Sequence, residues 1–359
     1  AGIDLVFELP ACFATGSAED FAACGVALFD RLGAVDMLGF GSEAGDRELL
    51  SRAAGLLVRE PEEFAQTLQV HLKRGFSFPK ARAAAFRRYF SKTDVPDPDA
   101  FFSSPNNILG IEYLKALTRR GSSIEPVTIR RSGQEYHGME PVKEDIFASA
   151  SAIRKSIRES DLSSVSGQIP KAAAGILEGD ASGFSPVPVF SDDLTSLLNG
   201  RLLELLHMEA SDPFSCFADM SPELASRLRR NVLNFSSFSG RVLQLKTRGY
   251  TYTRISRALL HLLLGITAEQ VACYKSLDYV CYGRILGFRR QAAPLLGQIK
   301  RTSSIPLITK TARAHKVLDA DGLAMLQADF HASHLYQSIV FAKSGQSMPN
   351  EYTRSVIVC

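Results

Sequence analysis

The 359-residue sequence contains no tryptophan, and it has no uncharged apolar run of about 20 residues that could cross a membrane. Its six cysteines form no CxxC pair, which argues against a zinc site or a disulfide framework. The first ten residues carry Asp4 and Glu8 and no basic leader, so we expect no signal peptide. We therefore expect a cytoplasmic protein with no metal site, no membrane partner and no evident protein partner. The 45% hydrophobic and 22% charged content excludes collagen-like and wholly disordered chains.

Acidic residues are absent from two long segments of the second half. Residues 226–257 and 279–318 each contain eight lysines and arginines and no aspartate or glutamate. The net charge of the whole chain is only +3, so the remaining residues must be net acidic. Such asymmetry is typical of a nucleic-acid-binding surface, whereas solvated helix faces, the alternative, normally mix both signs.

Strand and helix patterns alternate in the first part of the chain. Apolar runs at 3–9, 35–40 and 124–130 predict strands, with helical spacing between them. This order is typical of an α/β layer with a parallel sheet. Beyond a Ser/Gly/Pro-rich connector that begins near residue 160, the spacing is mainly helical. We predict an α/β domain over residues 1–165 and a mainly α-helical, basic domain over residues 166–359.

Two segments of the α/β domain could accept a nucleotide through small or amide side chains. Gly41 lies in a Gly-Phe-Gly-Ser run at the end of the second predicted strand, where backbone N–H groups could approach a phosphate. A tight turn is the alternative for this run. Asn106 and Asn107 begin a predicted helix, where an amide could read an adenine edge or simply cap the helix.

Two further segments offer arginines or hydroxyl groups. Arg130 and Arg131 follow the third predicted strand, and guanidinium groups suit phosphate oxygens. Ser149 and Ser151 lie at a predicted helix N-terminus with Arg154 one turn further on. The free N–H groups and the helix dipole would add to the arginine, so this segment favours an anion.

Segment 149–154 (SASAIR) is similar to the ISSTxIR motif of the HIGH-type nucleotidyltransferases. Further segments resemble, in order along nearly the whole chain, the tRNA(Met) cytidine acetate ligase family. They are GIDLVFELP at 2–10, FGSE at 40–43, GFSFP at 75–79, PNNILGIEY at 105–113, RRSG at 130–133 with YH at 136–137, KTR at 246–248, YTRI at 252–255, LLHLLLGIT at 259–267 and GRILGF at 283–288.

This resemblance implies a two-step reaction. Acetate and ATP, with Mg²⁺, would form acetyl-adenylate and pyrophosphate, and the acetyl group would then pass to N4 of the wobble cytidine of elongator tRNA(Met). Such chemistry depends on positioning and charge stabilisation more than on a protein nucleophile. The resemblance implies that Gly41 and Asn106 contact the adenosine and that Arg131, with Arg130, faces the phosphates. The ATP-binding residues implied are Gly41, Asn106, Arg130, Arg131, Ser149, Ser151 and Arg154.

The resemblance also implies a Rossmann-like, HUP-type parallel sheet, with the first strand of the family pattern missing from this sequence. Family members carry an HxGH motif after that strand, and this sequence contains none, so no catalytic residue is assigned. We expect the missing strand to leave an unpaired edge or an open groove beside residues 3–9.

The basic domain would hold the tRNA. We predict that the two acid-free segments pack as neighbouring helices whose positive face opens toward Arg131, with Tyr250 or Tyr252 stacking on a base turned out of the anticodon. The tRNA-binding residues predicted are Arg227, Arg230, Lys246, Arg248, Arg254, Arg257 and Arg289.

Two other functions remain open at this point. The chain could be a non-catalytic tRNA-binding member of the family, which would bind RNA without using ATP. It could instead be a small-molecule nucleotidyltransferase, whose activity would be insensitive to salt and would need no basic appendage.

Overall fold

The computed structural model of the chain describes residues 2–90, 95, 97–131, 148–159, 161, 163–179, 186–208 and 212–359. Positions 132–133, Tyr136 and His137, which contribute to the family resemblance, lie outside the described residues. The strands of the first half are β1 (Leu5–Phe7), β2 (Met37–Ser42) and β3 (Glu125–Arg130). Its helices are α1 (Ala11–Ala14), α2 (Ala18–Leu32), α3 (Arg47–Arg59), α4 (Glu62–Lys73), α5 (Phe78–Phe86), α6 (Pro98–Ser103), α7 (Pro105–Arg120), α8 (Ala150–Arg158) and α9 (Lys171–Glu178).

Strands β2 and β3 form a parallel pair, as the alternating pattern predicts. Met37 lies opposite Glu125, and Ser42 lies opposite Arg130, so the two carboxyl ends coincide. Along β2, Leu38 and every second residue after it are buried, and the residues between them are exposed. The buried face packs on α3 and α7, and a Cβ at Gly110 of α7 would come within 2.7 Å of the Phe40 ring. Only glycine lets this helix approach the strand so closely.

Strand β1 does not extend this parallel pair, so the prediction that 3–9 joins the same sheet is wrong. It runs antiparallel to β4 (Gly283–Phe288), with Leu5 opposite Phe288. The N–H of Glu8 donates to the Arg284 carbonyl at 2.9 Å. The backbone of a strand can pair with any other strand in register, so backbone hydrogen bonding alone does not select the partner of β1. Strand β4 also carries Arg284, whose guanidinium pairs with the Glu8 carboxylate beside β1. On its other side β1 has no strand partner in the described part of the chain.

The second half is mainly helical, as predicted. Its helices are α10 (Thr195–His207), α11 (Pro222–Asn231), α12 (Phe238–Leu245), α13 (Tyr252–Leu264), α14 (Ala268–Ser276), α15 (Ala293–Thr302) and α16 (Ala320–Ser344). Two short strands, β5 (Leu307–Ile308) and β6 (Ile357–Val358), pair in parallel with β4.

The two acid-free segments differ in structure. Segment 226–257 contributes to α11, α12 and α13, which share one apolar core. Segment 279–318 forms β4, α15 and β5 and packs on a second core with α2 and α16. The prediction that the two segments pack as neighbouring helices is therefore wrong for 279–318. Its Gly-Arg-Ile-Leu-Gly-Phe run instead forms a strand that pairs with β1 and β5, with residues 283–285 buried.

That second core contains side chains from both halves. Phe13 and Leu28 from the first half pack there with Tyr282 and Phe330 from the second. The division near residue 165 remains a proposal, with this core common to both parts.

Candidate nucleotide and RNA sites

Gly41 and Arg131 lie next to each other at the carboxyl end of the β2–β3 pair. The N–H of Arg131 donates to the Ser42 carbonyl at 2.9 Å, which extends the pairing by one residue. A Cβ added to Gly41 would lie 3.5 Å from Cγ of Arg131. Both residues are exposed, so an anionic ligand could reach the glycine backbone and the guanidinium together. This is the convergence that the sequence predicts for these two residues.

The loop that follows β2 is held by short polar contacts. The Ser42 hydroxyl lies 2.7 Å from the Thr128 hydroxyl, and its oxygen accepts from the N–H of Gly45 at 2.9 Å. Gly45 has a positive φ of 62°, and a Cβ there would collide with the side chain of Arg130. Glycine is therefore required at this position, and the loop places Arg130 beside the strand end.

Glu43 connects this loop to the start of α7. Its Oε1 accepts from the side-chain amide of Asn106 at 2.7 Å, and its Oε2 accepts from the backbone N–H of Asn107 at 2.8 Å. In return, Oδ1 of Asn107 accepts from the N–H of Ala44 at 3.0 Å. The Glu43 carboxylate thus accepts hydrogen bonds from free N–H groups in the first turn of α7, and its negative charge interacts favourably with the helix dipole there.

This arrangement gives both asparagines a structural role at the start of α7, and contact of Asn106 with an adenosine stays a prediction. Asn106 lies at the site but binds Glu43, and Asn107 is buried and also donates to the Phe101 carbonyl. Sequence reasoning missed the role of Glu43. The sequence carried one signal, because FGSE places a carboxylate directly after the strand. That Ser104 makes no side-chain cap to α7 is visible only in the structure.

A buried ion-pair cluster fixes α7 against its neighbours. The Glu112 carboxylate is 2.6 Å from the Arg82 guanidinium and 2.5 Å from the Lys115 ammonium. Lys115 also reaches Glu19 of α2 at 2.8 Å. Glu112, Arg82 and Lys115 are all buried, so charges shielded from water join α5 to α7, whereas the link to α2 runs through the half-exposed Glu19.

Helix α8 carries the third group of predicted ATP-binding residues. The Ser149 hydroxyl caps the helix by accepting from the N–H of Ala152 at 3.0 Å, as its position predicts. Arg154 is exposed and donates to the Ser151 hydroxyl at 3.3 Å. Residues 132–147, which connect β3 to α8, lie outside the described residues. That Arg154 joins Gly41 and Arg131 in one cleft therefore stays a prediction.

The predicted tRNA-binding residues differ in how exposed their charge is and in whether a carboxylate pairs with it. Lys246 and Arg248 are exposed in the turn between α12 and α13, and no carboxylate in the described part of the chain pairs with either. Arg230 is also exposed, on α11. Arg254 stacks over the Tyr250 ring, with its guanidinium carbon 4.9 Å from the ring centre.

The other three predicted tRNA-binding residues, all arginines, lie next to carboxylates. Arg257 makes two hydrogen bonds to Asp219, at 3.1 and 3.3 Å. Arg227 and Arg289 each lie 3.6 Å from a carboxylate, of Glu223 and Asp4 respectively. The ion pair of Arg257 is half-buried and well aligned, so its charge is the most strongly offset of the three.

Two arginines of the acid-free segments are buried. Arg241 is fully buried and donates to the backbone carbonyls of Asn231 and Val232, and this burial lowers the pKa of its guanidinium. Arg284 is buried between the carboxylates of Glu8 and Glu351. Because both side chains are buried, neither guanidinium is accessible to RNA.

Within the described residues, no cluster of three or more His, Cys, Asp or Glu side chains could hold a metal ion. The described helices also include none that is both long and apolar enough to span a bilayer.

The chain matches known proteins over its whole length. The family model for HIGH nucleotidyl transferases matches residues 1–351. The tRNA(Met) cytidine acetate ligase of Acetivibrio thermocellus is 36% identical over 367 residues, which cover 100% of this chain and 85% of the relative. The enzyme of the same name from Clostridium perfringens is 34% identical, covering 100% of this chain and 84% of the relative.

Two solved structures have a fold similar to that of this chain. The apo form I of Thermotoga maritima TmcAL superposes with a TM-score of 0.86 at 28% identity, over 99% of this chain and 85% of that chain. Form II of the same protein, bound with alpha-thio ATP, gives a TM-score of 0.83 at 28% identity, over 99% and 84% of the two chains. These matches confirm the resemblance on which the sequence analysis relied. The chain belongs to the HIGH nucleotidyltransferase family and, within it, to the tRNA(Met) cytidine acetate ligases.

Proposed function

We propose that this protein is an ATP-dependent ligase that transfers acetate to N4 of the wobble cytidine of elongator tRNA(Met). The observation that carries the proposal is the match over the full length of the chain to relatives of that name, one of them solved with an ATP analogue. The exposed pairing of Gly41 with Arg131 supports it, because it offers an ATP molecule both close backbone approach and a guanidinium.

The reaction has two balanced steps. A carboxylate oxygen of acetate attacks the α-phosphorus of ATP, and pyrophosphate leaves with the pair of electrons from the broken P–O bond. The N4 amine of the cytidine then attacks the acetyl carbonyl, the acyl–phosphate bond breaks, AMP leaves, and the amine loses one proton. Negative charge concentrates on the phosphates in the first step, and we assign its neutralisation to Arg131 with Arg130.

The remaining predicted residues would serve the same ATP molecule. Asn106, held by Glu43, would border the adenosine, and Ser151 and Arg154 would reach the phosphates from α8, which Ser149 caps. The described residues supply no carboxylate cluster for Mg²⁺, so the ion would arrive bound to the ATP phosphates. Because ATP and tRNA are both cytoplasmic molecules, we place the reaction in the cytoplasm.

The test is incorporation of [¹⁴C]acetate into an unmodified elongator tRNA(Met) transcript, with and without ATP. We expect ATP-dependent labelling that disappears when the wobble cytidine is replaced by uridine. A label that appears equally in both transcripts would contradict the proposal. Binding of tRNA with neither AMP formation nor labelling would favour the non-catalytic alternative.

A further inference from the structure

A cleft of about 730 Å³ separates two turns that are far apart in the sequence. One wall is the turn between α4 and α5, with Arg74, Phe76 and Lys80. The other is the turn between α12 and α13, with Lys246 and Arg248. The volume is comparable with that of pockets that hold small organic ligands, about 300–1,000 Å³, so one nucleotide fits.

The side chain of Phe76 is presented to this cleft by a rigid turn. The N–H of Phe76 donates to the His71 carbonyl at 3.2 Å, and the N–H of Gly75 donates to the Leu72 carbonyl at 2.9 Å. These two bonds form a Schellman motif, which requires the positive φ of 80° that Gly75 adopts. The His71 ring packs edge-on against Phe76 at 5.3 Å between ring centres.

This packing leaves much of the phenyl ring free. Phe76 remains 43% exposed, although it is a large apolar side chain. Exposed aromatic rings held in place by the backbone are a recurring platform for stacking unpaired bases. The turn fixes the backbone of Phe76 and the His71 ring packs against its side chain, so part of the cost of ordering the ring is already met before a base stacks on it.

The charges around the cleft have one sign. Arg74, Lys80, Lys246 and Arg248 all line it, and none of the described residues that line it is acidic. All four are exposed, and none has a carboxylate partner in the described part of the chain. This distinguishes them from Arg257, whose charge is offset by Asp219. An unbalanced cationic lining favours a polyanion over a neutral ligand.

Tyr250 completes the wall but is less available for stacking. Its hydroxyl lies 2.5 Å from the Ser221 hydroxyl, and Arg254 covers one face of its ring. Of the aromatic rings in the lining, Phe76 therefore has the freer face.

We propose that this cleft binds an unpaired segment of the tRNA, with one base stacked on Phe76 and the flanking phosphates between the α4–α5 turn and the α12–α13 turn. The identification of the ligand as tRNA rests on the proposed function. The combination of a charged groove with a stacking ring is what the binding of single-stranded nucleic acid requires.

The test is filter binding of an unmodified tRNA(Met) transcript between 50 and 200 mM salt, with two kinds of variant. Lys246→Gln with Arg248→Gln removes two charges, so we expect the salt dependence to become shallower by about 1.4 log units per log unit of salt. Phe76→Leu removes the ring without changing charge, so we expect binding to weaken about 5-fold or more at every salt concentration, with an unchanged slope.

Matched controls change the same side-chain types elsewhere. Arg59→Gln with Lys171→Gln removes two exposed charges outside the acid-free segments, and Phe341→Leu removes an exposed ring on α16. Both controls should bind tRNA as the unmodified protein does. ATP affinity, measured without tRNA, should be unchanged in every variant. Circular dichroism melts establish that each variant is folded.

Several outcomes would overturn the proposal. Unchanged tRNA affinity and slope in both cleft variants would exclude this cleft as the RNA site while leaving the proposed function intact. Loss of ATP affinity in the cleft variants would identify a site for the free nucleotide instead. If the unmodified protein bound no tRNA, the proposed function itself would fail along with the cleft.

Discussion

Asp329 makes stability depend on pH in a way that can be measured. Its carboxyl group is buried in the core shared by α1 and α16, and burial, reinforced by the nearby Glu8 carboxylate, raises its pKa to about 7. Its Oδ1 accepts from the N–H of Ala11 at 2.6 Å, and its Oδ2 accepts from the Tyr282 hydroxyl at 2.5 Å. An asparagine amide could keep both contacts, since its NH₂ group can donate to the tyrosine oxygen.

The sign and size of this pH dependence follow from the pKa of Asp329 in the unfolded and in the folded chain. The unfolded carboxyl titrates near 3.8 and the folded one near 7. Between these values the folded chain holds a proton that the unfolded chain has released, so the free energy of unfolding falls as the pH rises through this window. A shift of about three units corresponds to on the order of 4 kcal/mol when it is fully developed.

Asp329→Asn removes this titration. We expect the variant to gain stability relative to the unmodified protein as the pH rises from 4.5 to 8, by about 3 kcal/mol, because this range covers most of the window between the two pKa values. Urea unfolding at several pH values, followed by circular dichroism and tyrosine fluorescence in this tryptophan-free chain, measures the difference. A difference that stays constant across the window would refute the reasoning, whatever its size at one pH.

Three further predictions concern the site and its supports. Arg131→Ala should weaken ATP binding about tenfold or more in calorimetry, whereas Arg158→Ala, whose guanidinium stacks over Phe190, should have a smaller effect. Glu112→Gln should lower the free energy of unfolding by about 3–5 kcal/mol in urea titrations, because two buried cations lose their carboxylate. Gly45→Ala should lower the thermal midpoint and weaken ATP binding, since its positive φ and the adjacent arginine leave no room for a Cβ.

The local parts of the nucleotide site could be predicted because they depend on neighbouring residues. Alternation of buried and exposed residues marks β2, and parallel pairing then brings its carboxyl end to that of β3. Gly41 and Arg131 are adjacent for this reason. The Ser149 cap was equally predictable, since a serine before a helical pattern commonly accepts from the third residue of the helix.

Distant partners could not be predicted in this way. The pattern of β1 indicates a strand but not that its partner is β4, which lies more than 270 residues further along the chain. A count of basic residues likewise could not show that Arg241 is buried against carbonyl groups or that Asp219 offsets Arg257. In both cases the missing information is which polar groups tertiary packing brings together.

The ion pair between Arg82 and Glu112 joins the helix that follows Phe76 to the helix that carries Asn106. Arg82 lies four residues into α5, about 6 Å along the helix axis from Phe78, and Glu112 lies about 9 Å along α7 from Asn106. The turn that carries Phe76 immediately precedes α5, and Asn106 lies in the first turn of α7. Because the ion pair is buried, sliding one helix against the other would separate charges in a medium that screens them poorly. The ring proposed to stack a tRNA base and Asn106, proposed to border the adenosine, are therefore carried by two helices that this ion pair joins.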